Sequence, residues 1–258
     1  MTKIVIDPDY DFLREYIDAI PRRFGSLEKV LHAQRNLIKE DTVQGTRLII
    51  KSFRRIYLTN RLRYTYWHAS KARRAYDNGR LLLQKGFLTP RPIAYIETWR
   101  HGLIDQMYFV SEHTDFKPLN TISETLDNTT LQLLAALAGH TFRLHQSNIY
   151  HVDYSTGNIL YRQHNGQYEF SLIDNNRMHF GPIPFTTGLR NFSRLGLPAE
   201  HLAVIGTVYA RLCGKDEVVA LERLFHHKLA HHRKGDVKKW LKKLATALKL
   251  RPAPPAAN

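Results

Sequence analysis

The sequence predicts an α+β fold in two lobes, a small sheet-rich N-lobe and a larger helical C-lobe. Between residues 30 and 112, short apolar segments alternate with turn residues as in a small β-sheet, and one helix-length segment interrupts them at residues 70–85. Beyond residue 112, most apolar positions recur at helical spacing. We therefore predict an N-lobe at residues 1–112, a C-lobe at 113–250 and a disordered, Pro- and Ala-rich tail at 251–258.

The N-lobe is predicted to contain four further elements around that helix. Residues 1–24 have apolar side chains on one helical face and predict a preceding helix. Residues 32–38 and 46–53 predict two strands, with residues 40–45 as a polar turn between them. Residues 107–112 predict a further apolar strand. The N-lobe is therefore expected to be rich in β-sheet and to contain helices as well.

The most informative segment of the chain is residues 151–158, which have the form H-x-D-x-x-x-x-N. A helix-length apolar pattern precedes this segment, and Gly157 marks a loop within it. This is the spacing of a kinase catalytic loop, with a carboxylate at Asp153 and a carboxamide at Asn158. Alone, the pattern also fits ordinary polar loop residues, so its surroundings decide its meaning.

A predicted β-hairpin returns the chain to this loop. Residues 159–161 predict one strand, Asn165 and Gly166 predict a tight turn, and residues 168–173 predict the return strand. The return strand ends at Asp174. The hairpin therefore predicts that Asp174 lies beside the loop that carries the first carboxylate.

These three polar side chains match the needs of phosphoryl transfer. The reaction requires a carboxylate at the acceptor hydroxyl and oxygen ligands for the Mg²⁺ that accompanies ATP. We predict Asp153 as the catalytic residue. Asn158 and Asp174 are predicted as the magnesium ligands, because Mg²⁺ prefers oxygen donors.

A nucleotide-binding lysine and a glycine are predicted in the N-lobe. Lys51 lies near the end of the apolar strand at residues 46–53, as does the phosphate-binding lysine of kinases, although a solvated strand-end lysine would have the same pattern. The chain lacks a G-x-G-x-x-G motif in this region. Gly45 is therefore predicted to help cover the ATP phosphates through backbone amides.

Three segments together resemble the lipopolysaccharide kinase family, which includes the Kdo and core-heptose kinases of Gram-negative bacteria. Residues 172–178 resemble its L-I-D-x-N-R form, residues 86–94 resemble its G-x-x-T-P-x-P-x-A segment, and residues 144–145 precede the catalytic loop as in that family. The resemblance covers about residues 33 to 180. It implies a protein-kinase-like fold and transfer of the γ-phosphoryl group of ATP to a hydroxyl of a lipopolysaccharide core sugar, Kdo or heptose.

The resemblance also exposes a departure in the helix at residues 70–85. The acid that should pair with Lys51 falls on Ala75, and the only acid in this helix is Asp77. Two residues turn a side chain by about 200° around a helix. Asp77 is therefore predicted to contact the lysine only if the helix is rotated or its register differs.

The charge of the chain indicates an anionic partner. The net charge is +15, which suits nucleotide, nucleic acid, anionic lipid or phosphorylated glycolipid. The resemblance favours ATP and an anionic glycolipid or sugar acceptor, and no nucleic-acid motif accompanies the charge, so nucleic acid is not expected.

A basic amphipathic pattern at residues 237–250 predicts either peripheral contact with the inner membrane or a final helix packed on the C-lobe. No secretory signal and no run of 18 apolar residues is visible, and Cys213 is the only cysteine. These features predict a cytoplasmic protein without an internal disulfide, and residues 237–250 leave open a peripheral position on the inner membrane.

Two alternatives remain at this point. The first is a small-molecule or protein kinase of the same fold, since such kinases carry a similar catalytic loop. The second is a catalytically inactive pseudokinase that acts as a binding module, which Ala75 supports and the joint presence of Lys51, Asp153, Asn158 and Asp174 opposes.

Overall fold

The computed structural model describes residues 1–33, 36–53, 57–231 and 233. The chain forms two compact units. The first unit combines Met1–Ile122 with Gln146–Pro182, and the second combines Ser123–His145 with the chain from Ile183 onward. The lobe boundary at residue 112 stays a prediction, and the predicted features at residues 237–250 and 251–258 lie outside the described residues.

The first unit is built on a six-stranded antiparallel sheet with the order β1-β5-β6-β4-β3-β2. Its strands are β1 (Thr2–Ile6), β2 (Val30–Ala33), β3 (Leu37–Val43), β4 (Thr46–Ser52), β5 (Pro92–Arg100) and β6 (Leu103–Glu112). One core of this unit joins the sheet to the N-terminal helices, a 3-10 helix at Pro8–Leu13 and the helix α1 at Arg14–Arg23. Ile17 and Ile20 of α1 are completely buried in that core.

The N-terminus differs from the predicted helix, because its first residues form a strand. β1 pairs with β5 along its whole length, from Thr2 opposite Thr98 to Ile6 opposite Ala94. The segment is rich in β-branched residues, which pack well on a pleated sheet. The predicted helical face is present only from the 3-10 helix onward.

The strands β2 and β3 also differ from the prediction. Residues 32–38 were expected to form one strand, but His32 lies opposite Ile38 across the β2–β3 pair, and β3 continues to Val43. Glu40 resembled a turn residue, yet it is buried in β3 and forms ion pairs with Lys29 and Arg47. A carboxylate that is paired with cations can lie within a strand. The polar character of residues 40–43 therefore led to a predicted turn that begins too early in the chain.

A second hydrophobic core of the first unit consists of Phe53, Ala72, Tyr76, Tyr95, Ile104 and Met107. Two helices contribute to this core or pack against it. These are α2 (Leu58–Tyr66) and α3 (Lys71–Gln84). The Oγ of Ser70 caps α3 by accepting a hydrogen bond from the Arg73 amide at 3.0 Å, as expected of an N-terminal serine. This confirms the predicted helix at residues 70–85, which packs on β5 and β6.

Two small sheets complete the first unit. Their strands are β7 (Lys117–Pro118), β8 (Ile149–His151), β9 (Ile159–His164), β10 (Gln167–Leu172) and β11 (Met178–Phe180). β9 and β10 form the predicted hairpin, with Asn165 at φ 49° and Gly166 at φ 74°. Two positive φ values are typical of the tight turn that Asn-Gly favours.

The second unit is helical. Its helices are α4 (Asn128–Gln146, whose last residue belongs to the first unit), α5 (Phe185–Phe192), α6 (Ala199–Leu212) and a helical stretch at residues 217–231. The buried ring of Tyr209 contacts Phe192 and Phe185, and its hydroxyl lies 2.8 Å from Nδ1 of His145. No helix among the described residues has the length and apolar character needed to cross a membrane.

Candidate active site

The predicted catalytic loop is closed by backbone hydrogen bonds within the first unit. β8 pairs with β11, and the amide of Val152 donates to the carbonyl of Arg177 at 3.0 Å. At the end of the loop, Nδ2 of Asn158 donates to the backbone carbonyl of Asp153 at 2.8 Å. The amide of Ile173 donates to the carbonyl of Asn158 at 3.0 Å. The loop and the end of the hairpin are thereby held together, as the sequence predicted.

Asp174 meets Lys51 at this point. Nζ of Lys51 lies 2.6 Å from Oδ1 of Asp174, and the same oxygen accepts a hydrogen bond from Nδ2 of Asn176. The lysine side chain is only 13% exposed, so the ion pair is largely removed from water. Asp174 has φ 62°, a left-handed conformation that is uncommon outside glycine and is often found at functional sites.

Two opposing effects set the pKa of Asp174. Burial is the largest single effect and raises the pKa of this carboxyl, but the charge and hydrogen bond of the Lys51 ammonium, together with His151 and Asn176, lower it by more in total. The net result is a pKa below the usual value for aspartate. Asp174 is therefore a carboxylate at neutral pH, the form that can bind a cation.

His151 connects the loop to the segment that carries Asp174. Its Nε2 lies 3.1 Å from the carbonyl of Ile173, and because a carbonyl can only accept, this nitrogen carries the proton. Burial lowers the pKa of His151 below its ordinary value. The imidazole is therefore neutral and serves to fix the position of Ile173, directly before Asp174.

Asp153 forms an ion pair with Arg177. Nη1 of Arg177 lies 2.8 Å from Oδ2 and 3.1 Å from Oδ1 of Asp153. The arginine side chain is 56% exposed, so solvent screens this pair. The contact fixes the direction of the Asp153 carboxylate, which is itself 31% exposed.

A cavity of about 470 Å³ adjoins these residues, a size that suits a nucleotide. Lys51, Asn158 and Asp174 all line it. Its apolar lining comes from the sheet and from the hairpin: Ile38, Ile49, Phe109, Leu160 and Ile173. The cavity thus combines apolar walls, which suit a nucleobase, with a cation and two oxygen donors, which suit phosphates and a metal ion.

Gly45 does not join this group of residues. It lies in the turn between β3 and β4 with φ 77°, whereas Lys51 lies near the other end of β4. Six residues of strand separate the two by about 20 Å. In this part of the sheet, the cavity is lined instead by His32 of β2, by Asn36 directly before β3 and by Ile38 of β3.

Asp77 is likewise placed away from Lys51. It is half exposed and pairs with Arg73 of the same helix at 3.3 Å. Ala75 is buried and lines the cavity that also contains Lys51. The helix is therefore not rotated in the way that the Asp77 prediction required, and the lysine pairs with Asp174.

Sequence reasoning missed a support behind the site. The Oγ1 of Thr89 donates to the carbonyl of Leu172 at 2.7 Å and accepts from Nδ2 of Asn175 at 2.8 Å. Oδ1 of Asn175 is buried and has no hydrogen-bond partner within the described residues. The Thr-Pro dipeptide at residues 89–90 was visible in the sequence, but only the tertiary contact shows that its threonine fixes the residue after Asp174.

The fold and the site define an ATP-dependent phosphotransferase of the protein-kinase-like class. The model of the lipopolysaccharide kinase (Kdo/WaaP) family matches residues 36–181, which are more than half of the 258 residues and include Lys51, Asp153, Asn158 and Asp174. The chain belongs to this family. Among curated protein sequences, none matches this chain.

Solved structures confirm the predicted α+β, protein-kinase-like fold. WaaP in complex with acyl carrier protein is similar with a TM-score of 0.61 and 17% identity, over 88% of this chain and 98% of that chain. A Rio2 kinase-ADP/Mg²⁺-phosphoaspartate complex from Chaetomium thermophilum is similar with a TM-score of 0.50 and 19% identity, over 95% of this chain and 76% of that chain.

Proposed function

We propose that this kinase transfers the γ-phosphoryl group of ATP to a hydroxyl of a lipopolysaccharide core sugar, Kdo or heptose, at the cytoplasmic face of the inner membrane. The observation that carries the proposal is the convergence of Lys51, Asn158 and Asp174 on one cavity, beside the loop that holds Asp153. This convergence lies inside the segment that matches the lipopolysaccharide kinase family.

Asp153 is assigned to the acceptor hydroxyl. A carboxylate in this position orients the hydroxyl and accepts its proton as the new bond to phosphorus forms. Arg177 contacts both carboxylate oxygens of Asp153 and fixes its direction. As a half-exposed cation, Arg177 also suits an acceptor that carries phosphate or carboxylate groups.

Asn158 and Asp174 are assigned to Mg²⁺. Asn158 uses its Nδ2 to hold the backbone of Asp153, which leaves its Oδ1 as the oxygen for a cation. Asp174 has a depressed pKa and supplies a carboxylate. Hard oxygen donors of this kind fit magnesium, which neutralises phosphate charge when it is bound.

Lys51 is assigned to the phosphates of ATP. In the structure the Lys51 ammonium neutralises the Asp174 carboxylate. With a magnesium ion held by Asp174, the Lys51 ammonium would supply its positive charge to the phosphates of ATP instead. Ala75 leaves room beside it in the cavity, where the family resemblance places an acid. Asp174 thus takes the place of the missing helix acid as the partner of Lys51.

The direct test is transfer of labelled γ-phosphate from ATP, with magnesium, to purified core glycolipids that end either in Kdo or in heptose. We expect Asp153→Asn and Asp174→Asn each to lower transfer by about 100-fold or more. Asp77→Asn is the matched control, since this exposed acid lies outside the cavity lining. Transfer at the normal rate in either of the first two variants would contradict the assignment.

Ala75 favours one competing function, a pseudokinase that binds nucleotide without catalysis, because the acid expected at this position of the cavity is absent. The same assay separates the two. Nucleotide binding with no transfer to glycolipid, protein or small amino alcohol would support the pseudokinase. Transfer to protein or to an amino alcohol alone would support a kinase of another acceptor class.

A further inference from the structure

Helix α2 carries an apolar stripe on its solvent-exposed side. Leu58, Leu62 and Tyr66 follow one another at intervals of four residues and therefore share one helical face. Tyr57 and Trp67 flank the helix at its two ends and are exposed as well. These five side chains, called the α2 stripe below, are 38–72% exposed.

The helix packs on the sheet through a different face, on which Tyr64 packs against the buried cluster that includes Ile104. Nε of Arg61 donates to the carbonyl of Ile104 at 2.7 Å, and its guanidinium pairs with Asp105 at 3.1 Å. Oγ1 of Thr65 accepts from the amide of Ile104 at 3.0 Å. A surface helix normally turns its apolar side to the core. Here hydrogen bonds and an ion pair fix the helix so that its apolar side faces outward.

The sequence around the α2 stripe is strongly basic. Residues 54–74 contain seven lysines and arginines and no aspartate or glutamate. Within the described part of this segment, Arg63 is exposed on the helix next to the stripe, and His68 and Arg73 are exposed just beyond it. The surface therefore combines exposed aromatic and aliphatic groups with an excess of positive charge.

We propose that the α2 stripe docks on the surface of an anionic lipid bilayer. Tyrosine and tryptophan are favoured at the boundary between head groups and acyl chains, and arginines beside them attract anionic head groups. Trp67 and Tyr66, whose ring centroids are 5.6 Å apart, form the broadest part of the stripe. The +15 charge of the chain complements the same surface.

The purpose of this docking rests on the proposed function, although its structural basis does not. A core sugar of lipopolysaccharide is attached to a lipid that stays in the membrane. A kinase held at the bilayer meets that acceptor at a raised local concentration. The docking therefore affects a membrane-bound acceptor and leaves a water-soluble fragment of the same sugar unaffected.

The first experiment is co-sedimentation of the full chain with phosphatidylcholine vesicles that contain phosphatidylglycerol. We expect Leu58→Ser/Trp67→Ser to weaken binding about tenfold or more, since two large apolar groups no longer leave water. The single variant Leu58→Ser is measured as well, with Leu229→Ser as its control. Leu58 is 63% exposed and Leu229 is 62% exposed, but Leu229 lies in the second unit and is not part of the stripe. The control is expected to bind as the unchanged protein does.

The second experiment identifies the tryptophan that enters the bilayer. Brominated lipids quench nearby indole fluorescence, and we expect Trp67→Phe to remove the quenching. Retention of the quenching in Trp67→Phe together with its loss in Trp240→Phe would overturn the proposal and assign the contact to residues 237–250. Vesicle binding that Leu58→Ser/Trp67→Ser leaves unchanged would overturn it as well.

The third experiment separates docking from catalysis. We expect Leu58→Ser/Trp67→Ser to phosphorylate a deacylated core oligosaccharide normally and the vesicle-bound glycolipid about tenfold more slowly. If the unchanged protein phosphorylates neither acceptor but still needs the stripe for vesicle binding, the kinase assignment fails and the docking stands. Binding of the stripe to a small acidic protein, with no binding to vesicles, would overturn the lipid proposal in favour of a protein partner.

Discussion

The ion pair between Lys51 and Asp174 sets the charge at the centre of the site. The aspartate is mostly buried, which alone would favour its neutral form. The lysine reverses that preference, and Asn176 adds a hydrogen bond to the same oxygen. A single residue of β4 thus helps to lower the pKa of the proposed magnesium ligand.

Replacement of Lys51 by methionine is expected to raise the pKa of Asp174. The burial of the carboxyl remains, while the ammonium that lowers the pKa is removed. A carboxyl titration followed by ¹³C NMR would measure the change. Lys85→Met, at the exposed end of α3, is the control and should leave the Asp174 titration unchanged. An unaltered Asp174 titration in Lys51→Met would contradict this account.

Arg177 offers a second test at the residue scale, because it touches Asp153 and not the phosphate side of the cavity. Arg177→Gln is expected to lower kcat by about 10- to 100-fold through a misplaced carboxylate, with little change in the KM for ATP. Steady-state kinetics at varied ATP checks both values. Arg73→Gln, another half-exposed arginine paired with an aspartate, is the control. A rise in the KM for ATP at unchanged kcat would place Arg177 at the nucleotide instead.

At the scale of elements, α3 and the hairpin illustrate what local sequence encodes. The helix at residues 70–85 and the tight turn at Asn165-Gly166 depend on interactions within a few residues, and both were predicted correctly. The β2–β3 hairpin was not, because Glu40 owes its place in a strand to ion pairs with Lys29 and Arg47. Such ion pairs form only once the strands are assembled into the sheet. A local sequence pattern therefore does not reveal them.

Gly79 makes the packing of α3 testable. A Cβ at this position would lie 2.6 Å from Cγ of Pro92, the first residue of β5, so the helix and the strand would have to separate. We expect Gly79→Ala to destabilise the protein by about 1–3 kcal/mol, because overpacking exceeds the gain of about 1 kcal/mol in helix propensity.

The matched control is Gly139→Ala in α4. No described atom lies within 4 Å of a Cβ at Gly139, so alanine should be neutral or stabilising there. Urea unfolding of both variants measures the two free energies. Equal stability changes for the two substitutions would show that the contact with Pro92 does not restrict α3.

At the scale of the whole molecule, buried histidines connect stability to pH in both units. Burial lowers the pKa of His140 to about 3 and that of His145 to about 4, and it lowers the pKa of His151 as well. His140 and His145 are therefore neutral in the folded protein near pH 6, and the lowered pKa of His151 acts in the same direction. In the unfolded chain, histidines become protonated below about pH 6.5. The unfolded chain then binds more protons, so acid favours unfolding.

We expect the free energy of unfolding to fall as the pH decreases from about 6.5 toward 4, by about 1.4 kcal/mol per pH unit for each histidine that stays neutral when folded. Urea unfolding at about pH 7, 6 and 5 measures the slope of the free energy of unfolding against pH. His140→Gln should reduce the slope by about one proton, whereas the exposed His101→Gln should not. A stability independent of pH over this interval would contradict the neutral, buried state of these histidines.

The sequence by itself determined the features that depend on short-range spacing. The H-x-D-x-x-x-x-N loop, the Asn-Gly hairpin and the capped helix follow from turn chemistry and helical periodicity, and the motifs they carry were sufficient to indicate the family. The convergence of Asp153, Asn158 and Asp174 followed from the same local rules, since only a hairpin separates them.

The tertiary structure alone decided which distant residues meet. Lys51 contacts Asp174 across 123 residues, while Gly45 and Asp77 lie elsewhere, because the strand order and the rotation of α3 determine these contacts. The sequence also did not predict that the α2 stripe faces outward. Helical periodicity identifies an apolar face, but it does not tell whether solvent or the protein core lies against that face. Periodic patterns describe each element alone, and the pairing of elements depends on the packing of the assembled chain.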